Sequence, residues 1–283
     1  MSVTATLLLS CPDRPGLVAT VADFVFRNGG NILHADQHID TSEGVFFQRV
    51  EVDLDGFLPR GEIEEAFAPI AERCSMRTAV RFSDEVARIA ILVSKQPHCL
   101  FDLLGRWQAG ELQAEIPLVV SNHLDHADAV RLAGPVYQHL PITADTRAEQ
   151  ERGLLDHLRR HEIDLVVLAR YMQVLGAPII DAYRGQVINI HHSFLPAFTG
   201  GDPYRRAHER GVKLIGATAH YATEDLDEGP IIEQDVVRVT HRDTAADMAR
   251  KGRDLERIVL ARALRAHLEH RVLTYGNKTL VFE

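Results

Sequence analysis

The chain has 283 residues, and 40 acidic residues against 31 lysines and arginines set its formal net charge at −9, which excludes a general polyanion binder built on a clustered basic surface. At 46% hydrophobic and 25% charged residues the composition is that of a folded globular chain, and at roughly 150 residues per domain its length favours two domains, or one large one. No apolar run nears the ~20 residues that span a bilayer, and the start, MSVTATLLLSCPDRPG, lacks the basic region of a secretory signal.

Cys11, Cys74 and Cys99 have neither disulfide-framework nor metal-type spacing. A cytoplasmic protein without membrane or nucleic-acid partners is expected.

In chain order, Thr4 to Ser10 is an apolar strand. Pro15 opens a helix whose Leu17, Val18, Val21, Phe24 and Val25 make one apolar stripe. Gly29-Gly30 can end it. Asn31 to Asp40 and Val45 to Asp53 read as a hairpin around Thr41-Ser42-Glu43-Gly44, followed by a helix near Arg60 to Arg73 and a strand near Met76 to Phe82. That order, βαββαβ, is ferredoxin-like, and Ser83-Asp84-Glu85 is a linker. Domains are therefore expected at 1–83 and 84–283.

Beyond the linker, ARIAILVS (Ala87 to Ser94) is nearly continuous apolar sequence, as in a strand covered on both faces. A helix over Cys99 to Gly110, a strand over Ile116 to Ser121 and a helix over Thr146 to His161 follow. Ile163 to Ala169 and Gln186 to Ile190 are further buried strands. LIGATAHYAT and PIIEQDVVRV read as paired strands, and a long helix runs from Thr244 to about His270. The alternation predicts an α/β fold with a Rossmann-like, mostly parallel sheet and helices on both faces.

Ligands of such sheets sit beyond the carboxyl ends of the strands. The polar residues there are Ser94-Lys95, Ser121-Asn122-His123, Arg170-Tyr171-Met172 and Asn189 to Ser193. In INIHHSFLPAF, Asn189 and His191 are two apart in extended chain and share a face. A carboxamide and an imidazole there can hold a carbonyl oxygen that becomes anionic. Pro196 ends the run. Downstream, GATAHYATEDLDEGPII carries His220 and an acidic loop. Asp225, Asp227 and Glu228 could each orient a water or pair with His191, and spacing does not choose among them.

Each feature has a plainer reading: Asn189 as a turn cap, His191 as a satisfied loop histidine, the acidic loop as a solvated turn. Metal binding is disfavoured because His191 and His192 are adjacent and expected on opposite faces. Ser193 lacks the glycine-flanked elbow of a serine nucleophile.

Taken together, Asn189-x-His191 before Ser-Phe-Leu-Pro, with His220 and then Asp227 in LDEGP, resembles the formyltetrahydrofolate-using hydrolases and transferases. ARYMQVL (Ala169 to Leu175), VSNH (Val120 to His123), HCLFDLLGRW (His98 to Trp107) and HHSFLPAF are similar to the deformylases of that family. DRPGLVA (Asp13 to Ala19) and NGGNI (Asn28 to Ile32) resemble an ACT domain, which deformylases carry ahead of the catalytic domain. The resemblance covers essentially the whole chain.

It implies hydrolysis of 10-formyltetrahydrofolate to formate and tetrahydrofolate, without metal or other cofactor, by a catalytic trio of Asn189, His191 and Asp227. It also implies folate contacts at Arg170, Met172, Val174, Leu175, Thr223 and Asp225; for Met172, Val174 and Leu175 the plainer reading is packing. The ACT-like half implies an amino-acid effector, methionine or glycine, at Asp13, Arg14, Gly16, Asn28 and Asn31, and a homo-oligomer, dimer or tetramer. The plainer reading of that half is assembly alone.

Two departures bear on this. The related glycinamide ribonucleotide formyltransferases have a glycine-rich phosphate loop after their first strand. Here that stretch is SKQPHC (Ser94 to Cys99), without glycine and with a proline that deletes an N–H, so water is expected as the acceptor. In FTGGDPY (Phe198 to Tyr204) an acid, Asp202, stands where deformylases carry a basic or small residue. The alternatives are a formyltransferase to a non-nucleotide amine and a non-catalytic folate or amino-acid sensor.

Overall fold

A computed structural model of the chain describes residues 2–143, 145–197 and 203–283. The expected contribution of Asp202 to the pocket mouth lies outside the described residues.

The chain divides into two compact units. The first runs to Glu85 and takes in Glu269–Leu273 and Leu280–Glu283; the second comprises Val86–Leu268 and Thr274–Thr279.

The first unit follows β1 (Thr4–Pro12), α1 (Leu17–Arg27), β2 (Asn31–Asp40), β3 (Val45–Asp53), a 3₁₀ turn at Arg60–Glu62, α2 (Ile63–Cys74) and β4 (Arg77–Phe82). Its sheet has the order β2-β3-β1-β4 with antiparallel neighbours, the βαββαβ order anticipated from the residue periods. Alternation along β1 sends Ala5, Leu7, Leu9 and Cys11 to one face, where they meet Leu17, Val21, Phe24 and Val25 of α1 and Ile63 and Phe67 of α2. Phe24 and Phe67 meet edge to face, centroids 4.9 Å apart.

The second unit continues with β5 (Ala87–Val93), α3 (His98–Gln108), β6 (Ala114–Ser121), α4 (Ala127–Ala133), β7 (Val136–His139), α5 (Arg147–Arg160), β8 (Leu165–Leu168), α6 (Ala177–Ala182), β9 (Val187–His191), α7 (Pro203–Arg210), β10 (Leu214–Tyr221), β11 (Ile231–Arg238) and α8 (Ala245–Leu268). β12 (Val272–Tyr275) and β13 (Lys278–Val281) pair with each other in a separate two-stranded sheet. The large sheet has the order β11-β10-β9-β8-β5-β6-β7. β9 through β7 run parallel, while β10 is antiparallel to both of its neighbours.

Ala90, Leu92, Leu118, Val120, Val166, Leu168 and Val187 face Leu154 and Leu158 of α5 and Ile179 and Ile180 of α6. The residues between them, such as Ile89, Ile91, Val119 and Val167, are fully buried on the opposite face, and α8 packs along β9, β10 and β11. Burial on both sides is why β5 reads as unbroken apolar sequence.

The elements α4, β7, α6, α7 and the β12–β13 hairpin have no counterpart in the elements read from sequence. They are short, four to eight residues each, below the length at which periodicity separates helix from strand. Central β5 is flanked by β6 on one side and β8 on the other. The chain reverses its direction of winding there, and a crevice opens beyond the carboxyl ends of these parallel strands.

Candidate active site

Asn189 and His191 lie on β9 in the same alternation as buried Val187, and β10 runs alongside with Thr218 opposite His191 and His220 opposite Asn189. Directly opposed residues of antiparallel strands share a face, so His220 is delivered to Asn189. The His220 Nδ1 lies 3.0 Å from the carbonyl of Tyr221 and must donate to it. Its Nε2 therefore presents a lone pair, and the Asn189 Nδ2 at 3.1 Å donates to that. The register of two strands thus sets the orientation of the Asn189 carboxamide. One of its N–H bonds is committed to His220 and the other is not.

The acidic loop returns to the same place. Gly229 permits this: a Cβ there would stand 1.8 Å from the Tyr221 carbonyl oxygen. Asp227 adopts a left-handed backbone, φ 60°, uncommon for a residue with a side chain, and its Oδ1 meets His191 Nδ1 at 3.1 Å. His220 Nε2 is 3.9 Å from the same oxygen, too far for a hydrogen bond.

Three acids were open in the sequence, and Asp227 is the one paired with His191. Burial pushes the Asp227 carboxyl up, but the hydrogen bond and charge of His191, with His220 and His192 behind it, leave it below its ordinary value. It is a carboxylate at neutral pH. His191 Nδ1–H points at that anion, and its Nε2 is buried with no protein partner.

Asn189, His191 and Asp227 line one cavity of about 240 Å³. Arg170, Met172, Val174, Leu175, Thr223 and Asp225 line it as well. Met172, Val174 and Leu226 remain 55%, 49% and 61% exposed, an apolar rim of the kind that marks a ligand mouth. Thr223 Oγ1 donates to the Asp225 carbonyl at 3.0 Å and ties the acidic loop together. Leu175 lines the cavity from the core that β8 shares with α5 and α6. Ser94 Oγ accepts from Met172 N at 3.0 Å and donates to Asn122 at 2.8 Å. These strand-end groups brace the ARYMQVL segment and do not line the cavity.

One expectation is corrected here. His191 and His192 are not on opposite faces: β9 ends at His191, alternation lapses, and the two rings stand 5.2 Å apart at 38°. Burial, helped by nearby Arg170, lowers the His192 pKa to about 3, so this ring is neutral.

Sequence reasoning missed a second layer. Glu256 of α8 is fully buried; it accepts from His98 Nε2 at 2.8 Å and from Tyr204 Oη, and Arg170 Nε faces it as an ion pair at 3.3 Å. The signal was available: Glu256 stands in the stripe of α8 otherwise occupied by Gly252, Leu255, Val259, Leu260 and Ala263. His98, Cys99 and Glu256 bring ligand-type atoms within 4.8 Å of one another. Burial, with the negative charge of Glu256, raises the Cys99 pKa well above its ordinary value. Metal binding needs the thiolate, and Arg170 already supplies the positive charge.

The effector residues expected in the first unit are not gathered in one place. Gly16 and Asn28 cap opposite ends of α1, an 11-residue helix about 16 Å long at 1.5 Å per residue. Asp13 N donates to the Gly44 carbonyl and Arg14 to that of Arg73. Asn28 Nδ2 donates to Phe24 O at 2.8 Å, and Asn31 begins β2 opposite Asp53.

Family profiles match both units: "Formyl transferase" over residues 87–264 and "ACT domain" over residues 5–58. A formyltetrahydrofolate deformylase of Synechocystis sp. is 56% identical over 282 residues, covering 99% of each chain. The crystal structure of a formyltetrahydrofolate deformylase from Pseudomonas syringae pv. tomato superposes with a TM-score of 0.97 at 48% identity, covering 100% of this chain and 95% of that one. A glycinamide ribonucleotide transformylase from Symbiobacterium toebii matches at TM-score 0.68 and 32% identity, covering 71% of this chain and 97% of that one. With a two-unit architecture matched from end to end, the chain belongs to the formyltetrahydrofolate deformylase family.

Proposed function

We propose that the protein hydrolyses 10-formyltetrahydrofolate to formate and tetrahydrofolate. The observation that carries this is the linked set Asn189–His220 and His191–Asp227 on the wall of one cavity with an apolar rim. The Asp227 carboxylate accepts His191 Nδ1–H at Oδ1 and uses its remaining lone pairs to orient the attacking water, whose proton it takes as the oxygen bonds to the formyl carbon. The uncommitted N–H of Asn189 holds the resulting oxyanion, and the partner-free Nε2 edge of His191, whose ring is oriented by Asp227, faces the same space and would hold it as well when it bears a proton. Collapse breaks the C–N bond, and the proton held by Asp227 passes to the leaving arylamine nitrogen. Formic acid then ionises. No step is routed through a metal or a covalent intermediate.

The test is formate release from 10-formyltetrahydrofolate with no acceptor amine present. Release at a catalytic rate is expected; turnover only with an added amine would make the protein a transferase, and none at all a sensor.

The same reading makes the ACT unit regulatory, with methionine or glycine binding between copies of a dimer or tetramer. Support comes from β2, an edge strand exposed over most of its length with Leu33 and Ile39 half-exposed, which suits pairing with a second copy. Equilibrium dialysis with the two labelled amino acids decides it, and no saturable binding leaves assembly alone. Three buried free cysteines fit a reducing, cytoplasmic setting, and no helix among the described residues is long and apolar enough to cross a membrane.

A further inference from the structure

Three of the buried side-chain atoms without a hydrogen-bond partner, His191 Nε2, Arg170 Nε and His98 Nδ1, lie in or directly behind the cavity. The first belongs to the reaction proposed above. The other two belong to the cluster around Glu256, which that chemistry leaves unused.

We propose that Glu256 is a positioning residue for the hydrolysis, acting from α8 through Arg170, whose guanidinium it holds in the cavity wall.

Arg170 follows β8 with a left-handed backbone, φ 64°, a conformation that favours glycine. Its carbonyl is fastened by Ser94 N at 3.2 Å. That backbone turns a side chain only 12% exposed along the cavity, where Glu256 Oε2 faces its Nε at 3.3 Å. The contact is an ion pair without hydrogen-bond geometry, so charge fixes the guanidinium while its Nε–H stays uncommitted.

Glu256 is itself held from two further sides, by His98 and by Tyr204. Room for Tyr204 comes from Gly252, one turn earlier on α8, where a Cβ would lie 2.1 Å from the tyrosine oxygen. A glycine inside a helix and a strained arginine both carry a cost, and a buried ion cluster is weak evidence for stability. Their common result is one fixed cation beside His191 and His192, where a bound folate must lie.

The inference rests on the hydrolytic reading. Glu256→Gln keeps the shape and removes the charge. Arg170→Met keeps the stem and the same backbone demand. We expect each variant to raise the KM for 10-formyltetrahydrofolate about tenfold with kcat within about twofold, and the double variant to be no worse than either single. An unchanged KM in Glu256→Gln overturns the inference, as does a double variant in which the effects multiply to about a hundredfold. Should Glu256→Gln not fold, Tyr204→Phe loosens the carboxylate from its other side and is expected to raise KM about threefold; no change there is equally fatal. A wild-type protein that releases no formate sinks the hydrolytic reading itself. An active wild type with an indifferent Glu256→Gln sinks only the role of Glu256.

Discussion

The sets of residues singled out in the two units meet opposite fates. In the second unit Asn189, His191 and Asp227 come from β9 and a loop more than thirty positions on, yet share one cavity with polar capacity left over. In the first unit Gly16 and Asn28 sit at the two ends of one helix, and Arg14 and Asn28 each give a side-chain hydrogen bond to one of the unit's own carbonyls. A reaction requires its groups around one carbon atom, and here a single chain gathers all three. A regulatory ligand bound between copies makes no such demand, and each copy need supply only half of the contacts.

The sharpest way to break this contrast is Asp227→Asn, which keeps the size of the side chain and removes the base. We expect formate release to fall by about 10³-fold or more, since general base and water orientation are lost together; residual activity within tenfold of wild type would discard the assignment. The charge of Asp227 also makes a pH prediction. Its folded pKa lies below the unfolded value, so it contributes stability above the ordinary carboxylate pKa of about 4 that is lost as pH falls through the lower folded value. Acid unfolding followed by circular dichroism should lose this component in Asp227→Asn.

Removing one oxyanion donor with Asn189→Ala should cost about 10² to 10³ in kcat, checked by steady-state formate release. The smallest effect belongs to the first unit. Asn28→Ala deletes a hydrogen bond to Phe24 O, and we expect a loss of about 1 kcal/mol in thermal or denaturant unfolding. Unchanged stability together with lost amino-acid binding would show instead that Asn28 is kept for a ligand and not for its own helix.

How far the site was legible depended on periodicity and direction. Strand alternation put Asn189 and His191 on one face because both belong to an element that lasts until His191; His192, one step beyond its end, escaped the rule. The acidic loop has no period, so spacing left Asp225, Asp227 and Glu228 equivalent and only the family resemblance pointed to Asp227; the left-handed turn at Asp227 is what aims that acid at the imidazole. Glu256 had a legible oddity, an acid in an apolar stripe, but its partners lie 52 to 158 positions away.

The amino-acid sequence by itself determined which segments are helix or strand wherever they are long enough to repeat, and that β5 and its neighbours are covered on both faces. Local chain stereochemistry and the burial of apolar surface decide those things, and both are written in nearest and near neighbours. Only the tertiary structure decided which acid meets His191, which way the Asn189 amide turns, and what holds Arg170. Each depends on a hydrogen bond or ion pair between remote segments, and such contacts exist only once strand register and helix packing have brought their atoms within about 3 Å.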